Sequence, residues 1–248
     1  PLVRVNRDSQ GGARLPLSFA QQRLWFLDQL VPNKPFYNCP EAVRLEGRLE
    51  LEILERVVNE IVKRHEALRT RFELVEGEPA QVIDPWDPKR VKVEDLAKLP
   101  HEEREEEARR ITREDARTGF DLKRSPLIRM KILKLAEEEH IVRFTMHHMV
   151  SDGWSMGILI REVGTLYQAY SAGEASPLEE LPIQYADFAV WQREWLSGAV
   201  LEQELDYWRR QLAEAEALEL PTDHPRPAAP THQGARHHFV IEEAVAEK

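Results

Sequence analysis

The stretch IRMKILKLAEEEHIVRFTMHHMVSDG, residues 128–153, contains two predicted strands that lead directly into a predicted helix. In the first strand, Arg129 and Lys131 alternate with three apolar residues, a pattern that indicates one buried face: Ile128, Met130 and Ile132. The second strand, residues 141–146, runs without interruption into His147. Gly153 then begins a helix with a single apolar stripe, formed by Leu159, Val163, Leu166 and Tyr170.

Further helices are predicted on both sides of this stretch. Ser18, followed by Gln21 three residues later, matches a capping box at the start of a helix that Pro32 and Pro35 end. A second helix has apolar residues at helical spacing, namely Leu51, Leu54, Val57, Val58, Ile61 and Val62. Residues 101–118 are strongly charged and predict a solvated outer helix.

Strand signals are interspersed among these helices. Residues 42–45 predict one strand, and residues 70–75 and 79–83 predict a hairpin around Glu76-Gly77-Glu78. This irregular alternation predicts an α/β or α+β class, with helices packed on a mixed sheet. After residue 180 we expect one long aromatic helix over 184–214, a proline-rich crossing segment over 221–230 and a new strand over 236–241.

Composition excludes several functional classes. The chain of 248 residues has a net charge of −10, so nucleic acids and anionic membranes are poor partners. No apolar run reaches the roughly 18 residues of a membrane span, and the start lacks the apolar core of a signal peptide. Because the first residue, Pro1, is not Met, we expect a piece of a longer chain. Cys39, the only cysteine, excludes an intrachain disulfide and fits a reducing cytoplasm, where we expect a structural thiol.

The residues with the most chemical potential are found at 147–153, between a strand and a helix. Successive side chains of a strand point to opposite faces, so His147 and His148 cannot both face one pocket, which argues against a metal site built on the pair. Asp152 can fix the loop, and Gly153 offers an N–H at a helix N-terminus, suited to developing negative charge. The structural alternative is a buried strand that ends in two histidines, with Ser151 and Asp152 as helix caps.

A second histidine pair, His237-His238, is also expected in a strand. No Asp-Gly follows it, and we assign it no catalytic role.

The segment Met146-His147-His148-Met149-Val150-Ser151-Asp152-Gly153-Trp154-Ser155 resembles the HHxxxDG signature of condensation domains of nonribosomal peptide synthetases. Three more segments resemble motifs of that family in the right order. They are SFAQQRLWFL at 18–27, RHEALRTRF at 64–72 and YADFAVW at 185–191. Together the motifs cover the chain from about residue 15 onward.

This resemblance implies a sandwich fold of two chloramphenicol-acetyltransferase-like lobes with the active site at their junction. Residues 1–14 would be a linker and residues 15–180 the N-terminal lobe. Residues 181–248 would hold the long helix, the crossing segment and the start of a C-terminal lobe whose remainder is absent. Without that lobe we expect the chain alone to be inactive.

The implied reaction is acyl transfer. An upstream peptidyl carrier domain would present a donor acyl or peptidyl thioester on its 4'-phosphopantetheine arm, and a downstream carrier would present the attacking amine. An adenylation domain would belong to the same assembly line, in a bacterial cytoplasm. The domain itself would bind no cofactor and no metal.

The resemblance also implies roles for single residues. His148 would be the catalytic histidine, as a general base or as a group that positions the amine, and His147 would be structural. Asp152 would form a structural ion pair, with Arg64 as the first choice of partner and Arg69 as the alternative. Gly153 would contact the donor or the oxyanion, and Trp154 belongs to the same supporting motif.

Three alternatives differ from this assignment. An epimerisation domain usually carries Ser-Trp after the Asp turn, whereas the order here is Trp154-Ser155. A heterocyclisation domain would have paired aspartates in place of the histidines. A non-catalytic carrier-docking or scaffold domain would fold in the same way without forming peptide bonds.

Overall fold

The structure is a computed structural model that describes residues 1–7, 14–31, 34–225, 227–228, 237 and 239–246. Within these ranges the strands are β1 (Arg14–Pro16), β2 (Asn38–Glu46), β3 (Thr70–Val75), β4 (Glu78–Ile83), β5 (Lys92–Asp95), β6 (Ile128–Ala136) and β7 (Glu139–His147). The helices are α1 (Phe19–Leu30), α2 (Leu51–Arg64), α3 (His101–Arg117), α4 (Gly153–Ser171), α5 (Tyr185–Trp195), α6 (Gly198–Leu212) and the short α7 (Glu243–Ala246).

The stretch that contains the histidine pair lies at the centre of a mixed four-stranded sheet, in the order β2-β7-β6-β5. Strand β7 pairs antiparallel with both β2 and β6, whereas β5 pairs parallel with β6. A separate antiparallel sheet has the order β1-β4-β3 and contains the predicted hairpin. The expected combination of a mixed sheet with flanking helices is confirmed.

Helices cover both faces of the four-stranded sheet. On one face, α2 and α4 pack against β6 and β7 through residues such as Ile132, Val142 and Met146. On the other face, Ala108 and Ile111 of α3 pack among a second set of sheet residues, Leu133, Leu135 and Ile141. Neighbouring residues of β6 thus enter opposite cores, as the strand period requires. The charged helix is therefore anchored by a narrow apolar stripe, and its polar side chains range from exposed to largely buried, as at Asp115.

Helix α1 begins with the predicted capping box. The Gln21 N–H donates to Ser18 Oγ at 3.2 Å, and the Ser18 N–H donates to Gln21 Oε1 at 3.0 Å. The helix ends at Leu30; of the two prolines expected to end it, Pro32 lies outside the described residues.

The N-terminal segment differs from the expected linker. Arg14 pairs with Val82 as the first residue of β1. Upstream of it, Val5 and Arg7 make polar contacts with Asp187 of α5. Val5 and Arg7 are therefore packed against the rest of the first unit and do not form a free linker.

The predicted helix over 184–214 is wrong in one respect, because it is two helices. Helix α5 ends at Trp195, and α6 begins at Gly198, whose φ of +53° lies outside the right-handed helical region. The Ser197 hydroxyl donates to the Glu194 carbonyl and competes with the helical hydrogen bonds at this point.

The strand expected over 236–241 is not found in its described part. Residues 239–241 form no strand, while Arg236 and His238 lie outside the described residues. The crossing segment, in so far as residues 221–230 are described, contains no helix or strand.

The chain divides into two compact units, Pro1–Leu205 and Asp206–Lys248. Both sheets and the histidine pair belong to the first unit. No helix in the described ranges has both the length and the apolar character needed to cross a membrane.

Candidate active site

The histidine pair lies where β7 leaves the sheet and turns into α4. His147 is the last residue of the strand, and the His148 N–H donates to the Tyr37 carbonyl at 2.8 Å. The Val150 N–H and the Ser151 hydroxyl both donate to the His147 carbonyl, at 3.0 and 3.3 Å. These bonds fix a compact turn that ends at the N-terminus of α4.

His147 is a core residue, with 2% of its surface exposed. Its Nδ1 accepts a hydrogen bond from the Met149 N–H at 3.1 Å, so Nε2 carries the proton of the neutral ring. The rings of Tyr37 and Phe120 pack edge-on against it, with centroid distances of 6.3 and 6.1 Å. Burial, together with the nearby His148, lowers the pKa of His147 to about 4. His147 is therefore a neutral group that shapes the turn.

His148 is exposed and lines a cavity of about 260 Å³. The cavity is lined by the first part of α1, including Gln21 and Arg23, and by the turn itself, including Ser151 and Asp152. The two histidines thus take the opposite orientations expected from alternation along the strand. The catalytic role of His148 stays a prediction.

A second cavity of about 200 Å³ lies on the other side of the turn. His65 lines it, and its apolar lining comes from the turn after α2, from the end of β7 and from α4: Ala67, Leu68, Met146, Ile158 and Leu159. Four residues line both cavities: Val150, Ser151, Ser155 and Tyr185. The site is therefore a pair of adjacent depressions that share a wall.

Among the residues that the structure describes, no arginine pairs with Asp152, and the expected ion pair with Arg64 or Arg69 is wrong. Its Oδ1 accepts hydrogen bonds from the Ser155 N–H and the Ser155 hydroxyl, both at 2.8 Å, which makes it the N-cap of α4. These bonds, with a smaller contribution from His148, hold its pKa below the usual value. Asp152 also lines the first cavity, so it does not point away from the site.

The two arginines expected as its partners bind elsewhere. Arg64 pairs with Glu162 of α4 at 3.2 Å and also donates to the Glu179 carbonyl. Arg69 donates to the Asp84 carbonyl at 2.6 Å and lies 3.9 Å from Glu66. The physical reason is local: Ser155, three residues after Asp152, satisfies the carboxylate within the first turn of the helix.

Gly153 and Trp154 occupy the first turn of α4. A Cβ at Gly153 would meet no atom within 4 Å, so the backbone there faces open space. Trp154 is 83% exposed and contributes no packing to the core. Among the described residues, no group of three or more His, Cys, Asp or Glu side chains could hold a metal ion.

A family model for the condensation domain matches residues 13–248. The chain belongs to the condensation domain family. It is 49% identical to one of the linear gramicidin synthase polypeptides of Brevibacillus parabrevis, in an alignment that covers 100% of this chain and 3% of the relative. Identity to phosphinothricin tripeptide synthetase PhsC of Streptomyces viridochromogenes is 42%, with 92% and 21% covered.

Solved structures are similar over the same region. A chain of the complex of the X-domain and OxyB from teicoplanin biosynthesis matches with a TM-score of 0.80 at 29% identity, covering 94% of this chain and 50% of that one. The first condensation domain of the CDA synthetase matches with a TM-score of 0.71 at 24% identity, covering 82% and 51%. The fold class implied by the resemblance is confirmed. The chain spans about half the length of these solved chains and a much smaller part of the curated relatives.

Several residues that frame this condensation-domain site were missed as site residues in the sequence. Tyr185 OH and Ser18 Oγ lie 2.9 Å apart, which joins α5 to the start of α1. Gln21, which is 3% exposed, donates from Nε2 to the carbonyl of Met149 at 3.2 Å. The available signal was their position in the first and fourth family motifs, which by itself predicts only helix and core packing.

Cys39 lies at the edge of the same region. Its side chain is half-buried and contacts Ser151, and burial raises the pKa of its thiol. This environment favours the protonated thiol expected for a structural cysteine.

Proposed function

We propose that this chain supplies the histidine-bearing part of a site that forms peptide bonds between two carrier-bound substrates. The observation that carries the proposal is the contrast between the two histidines. His147 is buried and neutral, whereas His148 opens into a cavity large enough for the end of a substrate. Membership of the condensation domain family supports the reaction class.

In the proposed reaction, the amine of the acceptor attacks the carbonyl carbon of the donor thioester. A C–N bond forms, the C–S bond breaks, and the proton lost by the amine ends on the departing thiol. An α-amine has a pKa near 8, so a useful fraction is neutral at pH 7. The attack therefore requires orientation above all, with removal of one proton as the tetrahedral intermediate forms.

His148 can act in two ways at this step. As a general base it would take the ammonium proton of the intermediate, an effect typically worth about 10²–10⁴ in rate. As a positioning group it would accept a hydrogen bond from the neutral amine and direct its lone pair. Both roles need an imidazole nitrogen that is open to the cavity.

The start of α4 is the proposed site for the developing oxyanion. Backbone N–H groups in the first turn of a helix lack intrahelical partners, and Gly153 has open space around its Cα. The charge of Asp152, which caps the same turn, opposes an anion there. We therefore expect the helix N-terminus to contribute less than an uncapped one would.

The partners proposed for this site are an upstream and a downstream carrier domain, whose 4'-phosphopantetheine arms hold the substrates. An adenylation domain and a second lobe would complete the machinery, in the cytoplasm of a bacterium. The domain boundaries proposed above, 15–180 for the first lobe and 181–248 for the helix, crossing segment and start of the second lobe, belong to this proposal.

The test is amide formation by the complete two-lobed domain, with loaded donor and acceptor carriers. Replacement H148A is expected to remove most product, by about 10²-fold or more. H148Q keeps hydrogen-bonding capacity but cannot take a proton, so it separates the two roles. Activity of H148Q close to wild type would favour positioning, and activity equal to H148A would favour the base. Unchanged turnover of H148A would refute the catalytic role of His148.

A non-catalytic docking function is the second candidate. It is favoured by the similarity to an X-domain that was solved in complex with OxyB. A wild-type domain that binds a loaded carrier but forms no amide would support this function instead.

A further inference from the structure

Arg7 is one member of a closed ring of polar contacts that joins three parts of the chain that are distant in sequence. Its Nε and Nη2 donate to Glu66 Oε2 at 3.1 and 2.8 Å. Its Nη1 lies 2.8 Å from Asp187 Oδ1. The N-terminal segment is thereby attached both to the turn after α2 and to the first turn of α5.

The remaining links of the ring pass through Gln184. The Glu66 N–H donates to Gln184 Oε1 at 3.0 Å, and the Gln184 N–H donates to Asp187 Oδ2 at 2.7 Å. The Val5 N–H also donates to Asp187 Oδ1 at 2.9 Å. Gln184 directly precedes Tyr185, so the ring fixes the backbone from which the Tyr185 side chain projects.

The two carboxylates of this ring are buried. The side chain of Asp187 is 0% exposed and that of Glu66 is 8% exposed, so both carboxylates are removed from water. Burial alone would raise the pKa of Asp187, but the backbone N–H groups of Val5 and Gln184, together with Arg7, hold it below the usual value. Arg7 is the cation that both carboxylates share, and a buried charge that loses its partner is strongly unfavourable.

Tyr185 connects the ring to the candidate active site. Tyr185 lines both cavities, and its hydroxyl bonds to Ser18 at the start of α1. Gln21, in the first turn of α1, binds the carbonyl of Met149 next to His148. A shift of the first turn of α5 would therefore move the wall that faces His148.

We infer that Arg7 is a positioning residue of the condensation site, which holds Tyr185 at the wall between the two cavities through Glu66, Gln184 and Asp187. The expected effect of Arg7 on turnover rests on the proposed function. Its expected effect on the position of α5 does not. It also means that the segment upstream of β1 takes part in the organisation of the site.

The test compares R7M with R4M in the complete two-lobed domain. Arg4 is an exposed arginine of the same segment, so R4M is a matched control for loss of one positive charge. Two quantities are measured at a temperature at which all variants are folded: kcat and KM for amide formation, and hydrogen exchange of the backbone over 184–189. Exchange over α3, which does not take part in the ring, is the internal reference.

For R7M we expect kcat to fall by about 10- to 100-fold, since a misplacement of 1 Å can cost about 10² in rate. Exchange over 184–189 should rise while α3 is unchanged, and R4M should match wild type in both measurements. R7K keeps the charge but loses the planar guanidinium that bridges two carboxylates. Its kcat and its exchange over 184–189 should therefore lie between those of wild type and R7M.

Wild-type kcat and wild-type exchange in R7M would overturn the inference. A lower melting temperature with unchanged kcat and unchanged exchange would also overturn it, because Arg7 would then contribute stability alone. If R7M does not fold, kcat and exchange over 184–189 are measured on R7K instead. Wild-type values of both quantities in R7K would refute the positioning role of Arg7. If the wild-type domain forms no amide, the proposed function fails, and exchange over 184–189 still decides whether Arg7 positions α5.

Discussion

The buried His147 should make the stability of the protein depend on pH in a way that one substitution removes. In the folded protein its pKa is lowered from 6.5 to about 4, first by burial and then by the nearby His148. In the unfolded chain the imidazole regains its ordinary pKa. Between these two values the unfolded state binds a proton that the folded state does not, so the free energy of unfolding decreases as the pH falls.

The magnitude follows from the difference of about 2.5 pKa units between 6.5 and about 4. At about 1.4 kcal/mol per unit, the complete loss is about 3 kcal/mol. Linkage places about 2 kcal/mol of this loss between pH 7.5 and pH 5, where most carboxylates are still ionised.

The assay is urea unfolding followed by tryptophan fluorescence at several pH values from 7.5 to 5. In H147N, the amide oxygen can replace Nδ1 as acceptor for the Met149 N–H, while the titrating group is gone. Any cavity left by the smaller side chain changes stability equally at each pH. Between pH 7.5 and pH 5, the free energy of unfolding of wild type should therefore fall by about 2 kcal/mol more than that of H147N.

H148Q is the control from the same turn, since His148 is exposed where His147 is buried. We expect H148Q to keep most of the pH dependence of wild type, because burial of His147, the larger cause of its lowered pKa, is unchanged. Parallel curves for wild type and H147N would refute the description of His147 as a neutral core residue.

Two further predictions concern the elements that support the turn. D115N weakens an ion pair with Arg143, whose side chain is 8% exposed, and should lower the free energy of unfolding by about 3–5 kcal/mol. E107Q removes a charge from the exposed pair with Arg110 on the same helix, and its effect on the free energy of unfolding should be much smaller. Equal losses in urea unfolding would contradict the role of burial. D152A should lower the free energy of unfolding by about 0.5–2 kcal/mol, because the helix cap is lost. D152N keeps the acceptor oxygen and should lower it much less. A far larger loss of stability in both variants would point instead to an ion pair between Asp152 and an arginine.

The sequence predicted those parts of the site that depend on local geometry. Strand alternation separated His147 from His148, and the spacing of Ser18 and Gln21 identified the cap of α1. The partner of Asp152 was missed although its signal was local, because the capping-box pattern has Glu or Gln at the third helical position, where this chain has Ser155. Family resemblance directed attention to distant arginines instead.

Long-range contacts were beyond the reach of sequence patterns. Arg7 and Asp187 are far apart along the chain, and no periodicity indicates that an arginine in a polar N-terminal segment meets a carboxylate of a helix. The break between α5 and α6 depends on the backbone at Gly198, and a single glycine in a helical pattern does not by itself end a helix.

The position of Cys39 gives the protein a built-in chemical reporter. It is the only cysteine in the chain, and its thiol contacts Ser151 in the turn after the histidine pair. Because only the thiolate reacts quickly with alkylating reagents, a thiol with a raised pKa reacts slowly while the turn stays closed. The rate of alkylation therefore reports on the surroundings of this thiol, and a substrate that changes the turn beside it will change that rate without any engineered label.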